Sequence, residues 1–215
     1  MVRQHFTHVA TWVFDLDNTL YPPQARLFEQ IETRMTAYVM QALRLGRAEA
    51  DRLRHAYWRD HGTTLAGLMQ RHDLDPGPYL SAVHDISLDP LEPDPVLAAA
   101  IRALPGRKIV YTNGSAEYAA RVVERRGLGA VFDALYGVEH AGYRPKPEAA
   151  AFAAVLARDN SRAERAAMFE DDPRNLAAPH AMGMRTIHVA PDPVAALHIH
   201  HHTDDLGGFL TQLGA

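Results

Sequence analysis

The sequence predicts an α/β protein whose core is a doubly wound, Rossmann-like parallel sheet, with an all-helical segment inserted after the first strand. Three observations predict it. An apolar run at residues 9–14 ends abruptly in acidic residues, and residues 24–84 show helical periodicity without a convincing strand. Beyond residue 95, short apolar runs alternate with helical patterns. Strands separated by helices pair in parallel through right-handed crossovers.

The first strand is predicted at residues 9–14, because a β-branched and aromatic run that ends in acids is typical of a buried parallel strand. The apolar residues of the next stretch recur at helical spacing. The first of these series is Leu27, Ile31, Met35, Tyr38 and Val39. Residues 87–95 contain three prolines, which predicts a stiff connector. We therefore expect an α/β core at residues 1–20 and 91–215, and a helical domain at residues 21–90.

After the connector, the sequence predicts three further strands and three helices. The strands are expected at residues 108–111, 166–169 and 186–189, and the helices at residues 116–126, 149–157 and 176–182. Gly127 and Gly183 are typical of positions that end a helix, while Pro147 suits a first turn.

Composition excludes several classes of function. The 215 residues are 47% hydrophobic, but no apolar run approaches the roughly 20 residues that span a bilayer, so we expect a soluble protein without a membrane partner. No signal-peptide pattern is visible at the start, which favours a cytoplasmic location. A formal charge of −4 argues against binding a nucleic acid polymer. Because cysteine is absent, a metal would need oxygen or imidazole ligands.

Polar clusters follow four predicted strands or loops, where open α/β sheets bind ligands. In the first, Asp15 and Asp17 follow the first strand and alternation points them the same way. Their mutual repulsion then calls for a cation or a shared proton, although such a pair also occurs as a solvated turn.

The second cluster contains Thr112, Asn113 and Gly114, followed by Ser115 and a helix. A turn of this kind can direct backbone N–H groups and a hydroxyl at a phosphate, or simply cap the helix. In the third cluster, prolines flank Lys146, which suits either a fixed cation or an exposed turn.

The fourth cluster, Glu170, Asp171 and Asp172, follows an apolar run directly. Adjacent acids at a buried strand end favour a magnesium site, since Mg²⁺ prefers oxygen ligands, but a solvated acidic turn is the alternative. Histidines cluster at residues 198–202, where solvated side chains at a strand end are favoured over a metal site.

In order along the chain, Asp15-x-Asp17-x-Thr19, Thr112, Lys146 and Asp171 resemble the four motifs of the haloacid dehalogenase (HAD) superfamily. The resemblance covers essentially the whole chain and places the helical segment where that superfamily has a type 1 cap. It implies a magnesium-dependent phosphate monoester hydrolase that acts through an aspartyl-phosphate.

The same resemblance implies roles for individual residues. Asp15 would be the nucleophile and a metal ligand, and Asp17 the acid/base and a ligand through its carbonyl. Lys146 would neutralise charge on the phosphate and the nucleophile. Phosphate would contact Thr112, Asn113, Gly114 and Lys146, and the metal site would be completed by Asp171 with Asp172, or alternatively Glu170.

Three strings, at residues 15–22, 61–68 and 169–176, resemble the pyrimidine 5'-nucleotidase-like group, in which Gly62, Thr63 and Thr64 of the cap would reach a nucleoside 5'-monophosphate. A threonine that caps the helix beginning at Leu65 is the alternative interpretation. Other readings are a phosphoglycolate- or sugar-phosphate-type phosphatase or mutase, a haloacid dehalogenase, and a non-catalytic binding module. The presence of Asp17 and the acidic cluster argues against a dehalogenase, and the retention of Asp15, Asp17 and Lys146 argues against a binding module.

Overall fold

In the computed structural model, which describes residues 2–214, six parallel strands form one sheet in the order β3-β2-β1-β4-β5-β6. The strands are β1 (Thr11–Phe14), β2 (Arg107–Tyr111), β3 (Ala134–Tyr136), β4 (Ala166–Glu170), β5 (Arg185–Val189) and β6 (His201–Thr203). The chain builds the sheet outward from β1 on one side and then from β4 on the other. The doubly wound parallel sheet predicted from the sequence is confirmed, and its topological switch point lies between β1 and β4.

Helices account for most of the remaining residues. Between β1 and β2 lie α1 (Leu27–Leu43), α2 (Arg47–His61), α3 (Thr64–His72), α4 (Pro76–Val83) and α5 (Pro95–Ala103). Later in the chain come α6 (Ala116–Arg125), α7 (Ala149–Asp159), α8 (Ala177–Ala181) and α9 (Leu206–Gly214). Short 3-10 turns occur at Val2–Phe6, Pro23–Ala25, Val138–Ala141, Ala163–Arg165 and Pro173–Leu176. No residue between 21 and 90 is in a strand, as predicted.

The central strands are buried on both faces. Every residue of β1 is buried, and Phe14 stacks on its register partner Phe169 with ring centroids 4.7 Å apart. On the other face of the sheet, Val13 packs in a cluster with Ile109 and Phe152. Helices covering both faces explain why these strands read as continuous apolar runs.

Arg126 links the two points at which the chain passes between the sheet and the helical segment. Its buried guanidinium donates to the carbonyls of Leu20, at 3.1 Å, and Glu92, and pairs with Asp94 at 2.8 Å. Leu20 precedes the helical segment, whereas Glu92 and Asp94 lie where the chain returns. The domain boundaries at residues 20–21 and 90–91 stay a prediction.

Some elements differ from the sequence-based expectation. Strands β3 and β6 were not predicted, because three residues are too few to show a period. Helix α5 was also not predicted, and it begins at Pro95, the last residue of the expected connector. Asp94 caps it by accepting a hydrogen bond from the Leu97 N–H at 2.9 Å, and proline suits a first helical position. Within residues 2–214 no helix is both long and apolar enough to cross a membrane.

Candidate active site

A cavity of about 410 Å³ lies between the carboxyl ends of the strands and the helical segment. Its polar wall comes from the sheet side and includes Asp15, Asp17, Thr112, Lys146, Glu170 and Asp171. Its apolar wall comes from the helical segment and includes Phe28, Ile31, Met35, Leu65, Leu80 and Val83. The structure thus brings the four predicted clusters to one place, at the switch point of the sheet.

Lys146 stands at the centre of the polar wall. Its Nζ lies 2.5 Å from Asp15 Oδ1 and 2.6 Å from Glu170 Oε2, and it donates to the Tyr111 carbonyl at 3.3 Å. Burial lowers the pKa of Lys146, but the carboxylates of Asp15 and Glu170 outweigh this effect and raise it above its ordinary value. The side chain is therefore a fixed, permanently charged cation.

Three carboxylates gather around that cation. Asp15, Glu170 and Asp171 each offer one oxygen, and these oxygens lie within 4.8 Å of one another. Burial, with the charge of Glu170 next, raises the pKa of Asp15, and burial with the charges of Glu170 and Asp15 raises the pKa of Asp171 to about 10. With Lys146 as the partner cation, the fully ionised group carries a net charge of −2, which a divalent cation would balance.

Asp17 follows β1 by three residues and lines the same cavity. Its Oδ1 accepts hydrogen bonds from the hydroxyls of Tyr21, at 2.6 Å, and Tyr118, at 2.9 Å. Burial raises the pKa of Asp17, and the two tyrosine hydrogen bonds partly offset that rise. The sequence assigned a role to neither tyrosine, because Tyr21 lies in the loop after β1 and Tyr118 on α6, and no local pattern shows that both reach Asp17.

The turn after β2 arranges the second cluster. Thr112 Oγ1 accepts a hydrogen bond from the Gly114 N–H at 2.9 Å, and a Cβ atom at Gly114 would lie 3.1 Å from the Tyr118 ring. The Asn113 amide is bound to the backbone of Lys146, accepting from its N–H at 2.8 Å and donating to its carbonyl at 3.3 Å. The Asn113 side chain thus fixes the backbone that carries the lysine, and the expected contact of Asn113 with phosphate stays a prediction.

Asp172 lines the cavity but lies outside the group of three carboxylates. Its Oδ2 is 2.5 Å from a terminal nitrogen of Arg174, and its Oδ1 accepts from the Arg174 N–H at 3.0 Å. The Arg174 guanidinium in turn lies 3.7 Å from the ring centre of Trp58 on α2. Of the two acids that the sequence left open, the structure groups Glu170, and not Asp172, with Asp15 and Asp171.

Gly62, Thr63 and Thr64 line the cavity at the start of α3. Thr63 Oγ1 accepts a hydrogen bond from the Ala66 N–H at 3.1 Å, and the Thr64 hydroxyl donates to the Arg54 carbonyl at 3.3 Å. Both hydroxyls therefore have hydrogen-bond partners inside the helical segment. Thr63 caps α3, which is the alternative interpretation that the sequence left open.

Three of the histidines at residues 198–202 contact backbone or side-chain oxygens, and His201 contacts the ring of His5. His198 Nε2 lies 2.9 Å from the Pro173 carbonyl, and His202 Nε2 lies 2.8 Å from the Ala190 carbonyl. His200 Nδ1 lies 2.7 Å from Thr186 Oγ1. Within residues 2–214 no group of potential metal ligands includes any of them. His198, His201 and His202 are partly buried, whereas His200 is exposed just before β6, as expected of a solvated histidine at a strand end.

Comparison with known proteins gives a family match and, among the curated proteins, a relative from yeast. The family described as haloacid dehalogenase-like hydrolase matches residues 9–183. Phosphate metabolism protein 8 of Saccharomyces cerevisiae is 27% identical over 199 residues, which are 83% of this chain and 61% of the yeast protein. The chain thus spans less than two thirds of that relative's length.

Solved structures share the fold at low sequence identity. The HAD-hydrolase YfnB from Bacillus subtilis, bound to magnesium, is 16% identical with a TM-score of 0.62, covering 96% of this chain and 99% of that one. A HAD phosphatase from Thermococcus onnurineus is 16% identical with a TM-score of 0.63, at 96% and 98% coverage. L-2-haloacid dehalogenase from Xanthobacter autotrophicus, with chloropropionic acid covalently bound, is 16% identical with a TM-score of 0.55, at 94% and 97% coverage.

Proposed function

The chain belongs to the haloacid dehalogenase-like hydrolase family, and from that premise we propose that it is a magnesium-dependent phosphate monoester hydrolase. One observation carries the proposal: the Asp15 carboxylate lies 2.5 Å from Lys146 Nζ, in the wall of a cavity that also contains the Asp171 carboxylate. Attack on an anionic phosphorus by an anionic nucleophile requires nearby positive charge, which this arrangement provides.

The residues present fit a magnesium ion. Asp15 and Asp171 supply hard oxygen donors within reach of one another, and a divalent cation would favour the ionised form of both carboxylates, which burial disfavours. The two carboxylates would hold the ion together with the Asp17 carbonyl, as the family resemblance implies, and Glu170 would support the site through Lys146. When bound, the ion supplies Lewis-acid stabilisation of charge on the phosphoryl oxygens.

The side chains of this protein then divide the reaction into two steps. Asp15 attacks phosphorus, the bond from phosphorus to the leaving oxygen breaks with its electron pair on that oxygen, and Asp17 gives the oxygen a proton. In the second step Asp17 takes a proton from water, the water oxygen bonds to phosphorus, and the bond from phosphorus to Asp15 breaks with its electron pair on the Asp15 carboxylate, which releases inorganic phosphate. Lys146 holds the nucleophile and balances its charge in both steps.

Thr112 and Lys146 are the groups that would contact the phosphoryl oxygens. Since Thr112 Oγ1 accepts from the Gly114 N–H, its own hydrogen remains available to donate. Asn113 would act through Lys146, because its amide binds both backbone groups of that residue.

The proposal predicts that Asp15→Asn abolishes magnesium-dependent hydrolysis of an aryl phosphate such as p-nitrophenyl phosphate. An amide is neither an anionic nucleophile nor an anionic ligand, so kcat should fall by more than about 10³-fold. The measurement is the initial rate with and without magnesium for the wild type and the variant. Turnover by Asp15→Asn at the wild-type rate would rule out the mechanism.

For the substrate, the proposal is a nucleoside 5'-monophosphate with a pyrimidine base. Three strings that resemble pyrimidine 5'-nucleotidases support it, as does a cavity of about 410 Å³ with an apolar wall that suits a small planar ligand. We assign discrimination to the apolar wall and to the backbone of residues 62–64, because the Thr64 hydroxyl gives its hydrogen to the Arg54 carbonyl and Thr63 serves as the cap of α3.

A panel of phosphate monoesters tests this assignment. UMP and CMP should exceed AMP and GMP in kcat/KM by roughly 10- to 200-fold, the range that well-made discriminating contacts provide. Phosphoglycolate and sugar phosphates belong in the same panel. If one of these compounds has a higher kcat/KM than UMP and CMP, the protein is a HAD phosphatase that acts on another class of substrate.

A further inference from the structure

Two tyrosines hold one oxygen of the Asp17 carboxylate. The hydroxyls of Tyr21 and Tyr118 both donate to Oδ1, at 2.6 and 2.9 Å, and the two hydroxyl oxygens lie 3.5 Å apart. Within residues 2–214 the other oxygen, Oδ2, accepts no hydrogen bond, although Asp17 lines the cavity. The carboxylate is therefore anchored by one oxygen and leaves the other available for proton transfer.

Both tyrosines are buried beside Asp17 and donate to it. Both rings are 1% exposed. Burial first, and the charge of Asp17 second, raises the pKa of each phenol far above its ordinary value. In the structure both hydroxyls donate to Asp17 Oδ1, so their role is to hold that carboxylate.

Tyr118 is also attached to the segment through which the chain returns from the helical segment. Its ring stacks on His84, which follows α4, with centroids 4.4 Å apart and an angle of 3° between the planes. His84 Nδ1 lies 3.2 Å from Ser115 Oγ, and Arg121 donates to the carbonyls of His84, at 3.0 Å, and Ile86, at 3.2 Å. The helix that carries Tyr118, α6, therefore holds this returning segment.

We infer that Tyr21 and Tyr118 are positioning residues for proton transfer by Asp17, and that Tyr118 ties this aspartate to the return segment at His84. The inference rests on the proposed function. When the bond between phosphorus and the leaving oxygen breaks, the electron pair stays on that oxygen and the proton of Asp17 Oδ2 moves to it. Two donors on Oδ1 fix where Oδ2 lies, and a small displacement of a proton donor lowers the rate strongly.

The test compares two leaving groups in Tyr21→Phe and Tyr118→Phe. An alkoxide needs the proton and a nitrophenolate does not, so kcat/KM, which reports the steps up to cleavage of the bond to the leaving oxygen, should fall about 10-fold or more for an alkyl phosphate and less than about threefold for p-nitrophenyl phosphate. Tyr136→Phe is the matched control, because Tyr136 is also buried and its hydroxyl donates to an aspartate, Asp159, at 2.9 Å. Tyr136→Phe should lower kcat/KM only slightly, and by the same factor for the two substrates.

A double-mutant cycle gives a second measurement. In an Asp17→Asn background there is no proton donor to position, so adding Tyr118→Phe should cause no further selective loss on the alkyl phosphate. The inference would be overturned if the single variants lost kcat/KM equally on both substrates. It would also be overturned if Tyr118→Phe lowered kcat/KM for the alkyl phosphate in the Asp17→Asn background as much as it does in the wild type. Neither result would affect the proposed function. A wild type that hydrolyses neither substrate with magnesium would overturn the proposed function as well.

Discussion

Glu170 and Asp172 show how two residues of similar chemistry acquire different environments. Glu170 is the last residue of β4, so the sheet fixes its backbone and its carboxylate reaches Lys146 at 2.6 Å with 1% exposure. Asp172 lies at the start of a 3-10 turn, and its carboxylate caps that turn and pairs with Arg174. Only Glu170 belongs to the charged group at the centre of the site.

This difference predicts unequal effects of neutralising the two acids. Glu170→Gln removes a charge that holds Lys146, so we expect apparent magnesium affinity or activity to fall by about 10- to 100-fold, as for other residues that support metal ligands. Asp172→Asn should stay within about threefold of the wild type. Magnesium titrations of phosphatase activity measure both, and a larger effect of Asp172→Asn would contradict the assignment.

At the scale of elements, the N-terminus of α3 forms part of the cavity wall and also contacts the sheet side. Thr63 caps the helix, while Gly62 has a φ of +84° and lies so close to the loop before Lys146 that a Cβ atom would be 3.1 Å from the Pro145 side chain. The chain needs glycine here for both the positive φ and the close approach. The string at residues 62–64 is therefore explained by the geometry of the turn.

We predict that Thr63→Ala destabilises the protein by about 1 kcal/mol, the usual effect of losing an N-cap hydroxyl, without changing the UMP to AMP ratio of kcat/KM. Asp75→Ala is the matched control, because Asp75 caps α4 through the Gly77 N–H at 3.0 Å and does not line the cavity. Chemical denaturation measures the stability of both variants. If Thr63→Ala loses the preference for UMP over AMP and Asp75→Ala does not, the Thr63 hydroxyl contacts the substrate.

At the scale of the whole molecule, the helical segment and the sheet meet where His84 packs on α6. The imidazole is 7% exposed and stacks on Tyr118. Burial, with the charge of Arg121 next, lowers the pKa of His84 from 6.5 to about 4. The unfolded chain would therefore take up a proton at this position in a pH range where the folded protein does not.

The sign follows from linkage between protonation and folding. Above about pH 6.5 His84 is neutral in both states and its contribution is constant. As the pH falls toward 4, stability is lost, by about 2 kcal/mol between roughly pH 7.5 and pH 5. His84→Phe keeps an aromatic ring beside Tyr118 but cannot titrate, so its free energy of unfolding should fall less over that range. Parallel pH dependences of the two proteins would contradict the prediction.

The sequence alone predicted the features that depend on neighbours along the chain. An apolar strand followed by Asp15 and Asp17 is a local pattern, and so is the helical spacing between residues 24 and 84. The order of Thr112, Lys146 and Asp171 could likewise be read directly, and the structure brings them to one cavity. Local patterns suffice because strand ends in a parallel sheet converge on one edge.

Only the tertiary structure decided which groups touch. Lys146 reaches Asp15 across 131 positions of sequence, and Tyr118 reaches Asp17 across 101. Nothing local separates Tyr118 from a core residue or Glu170 from its acidic neighbour, since both assignments depend on what the folded chain places opposite them. The tertiary structure also decided strands β3 and β6, because three residues form a strand only when a neighbouring strand supplies the hydrogen bonds.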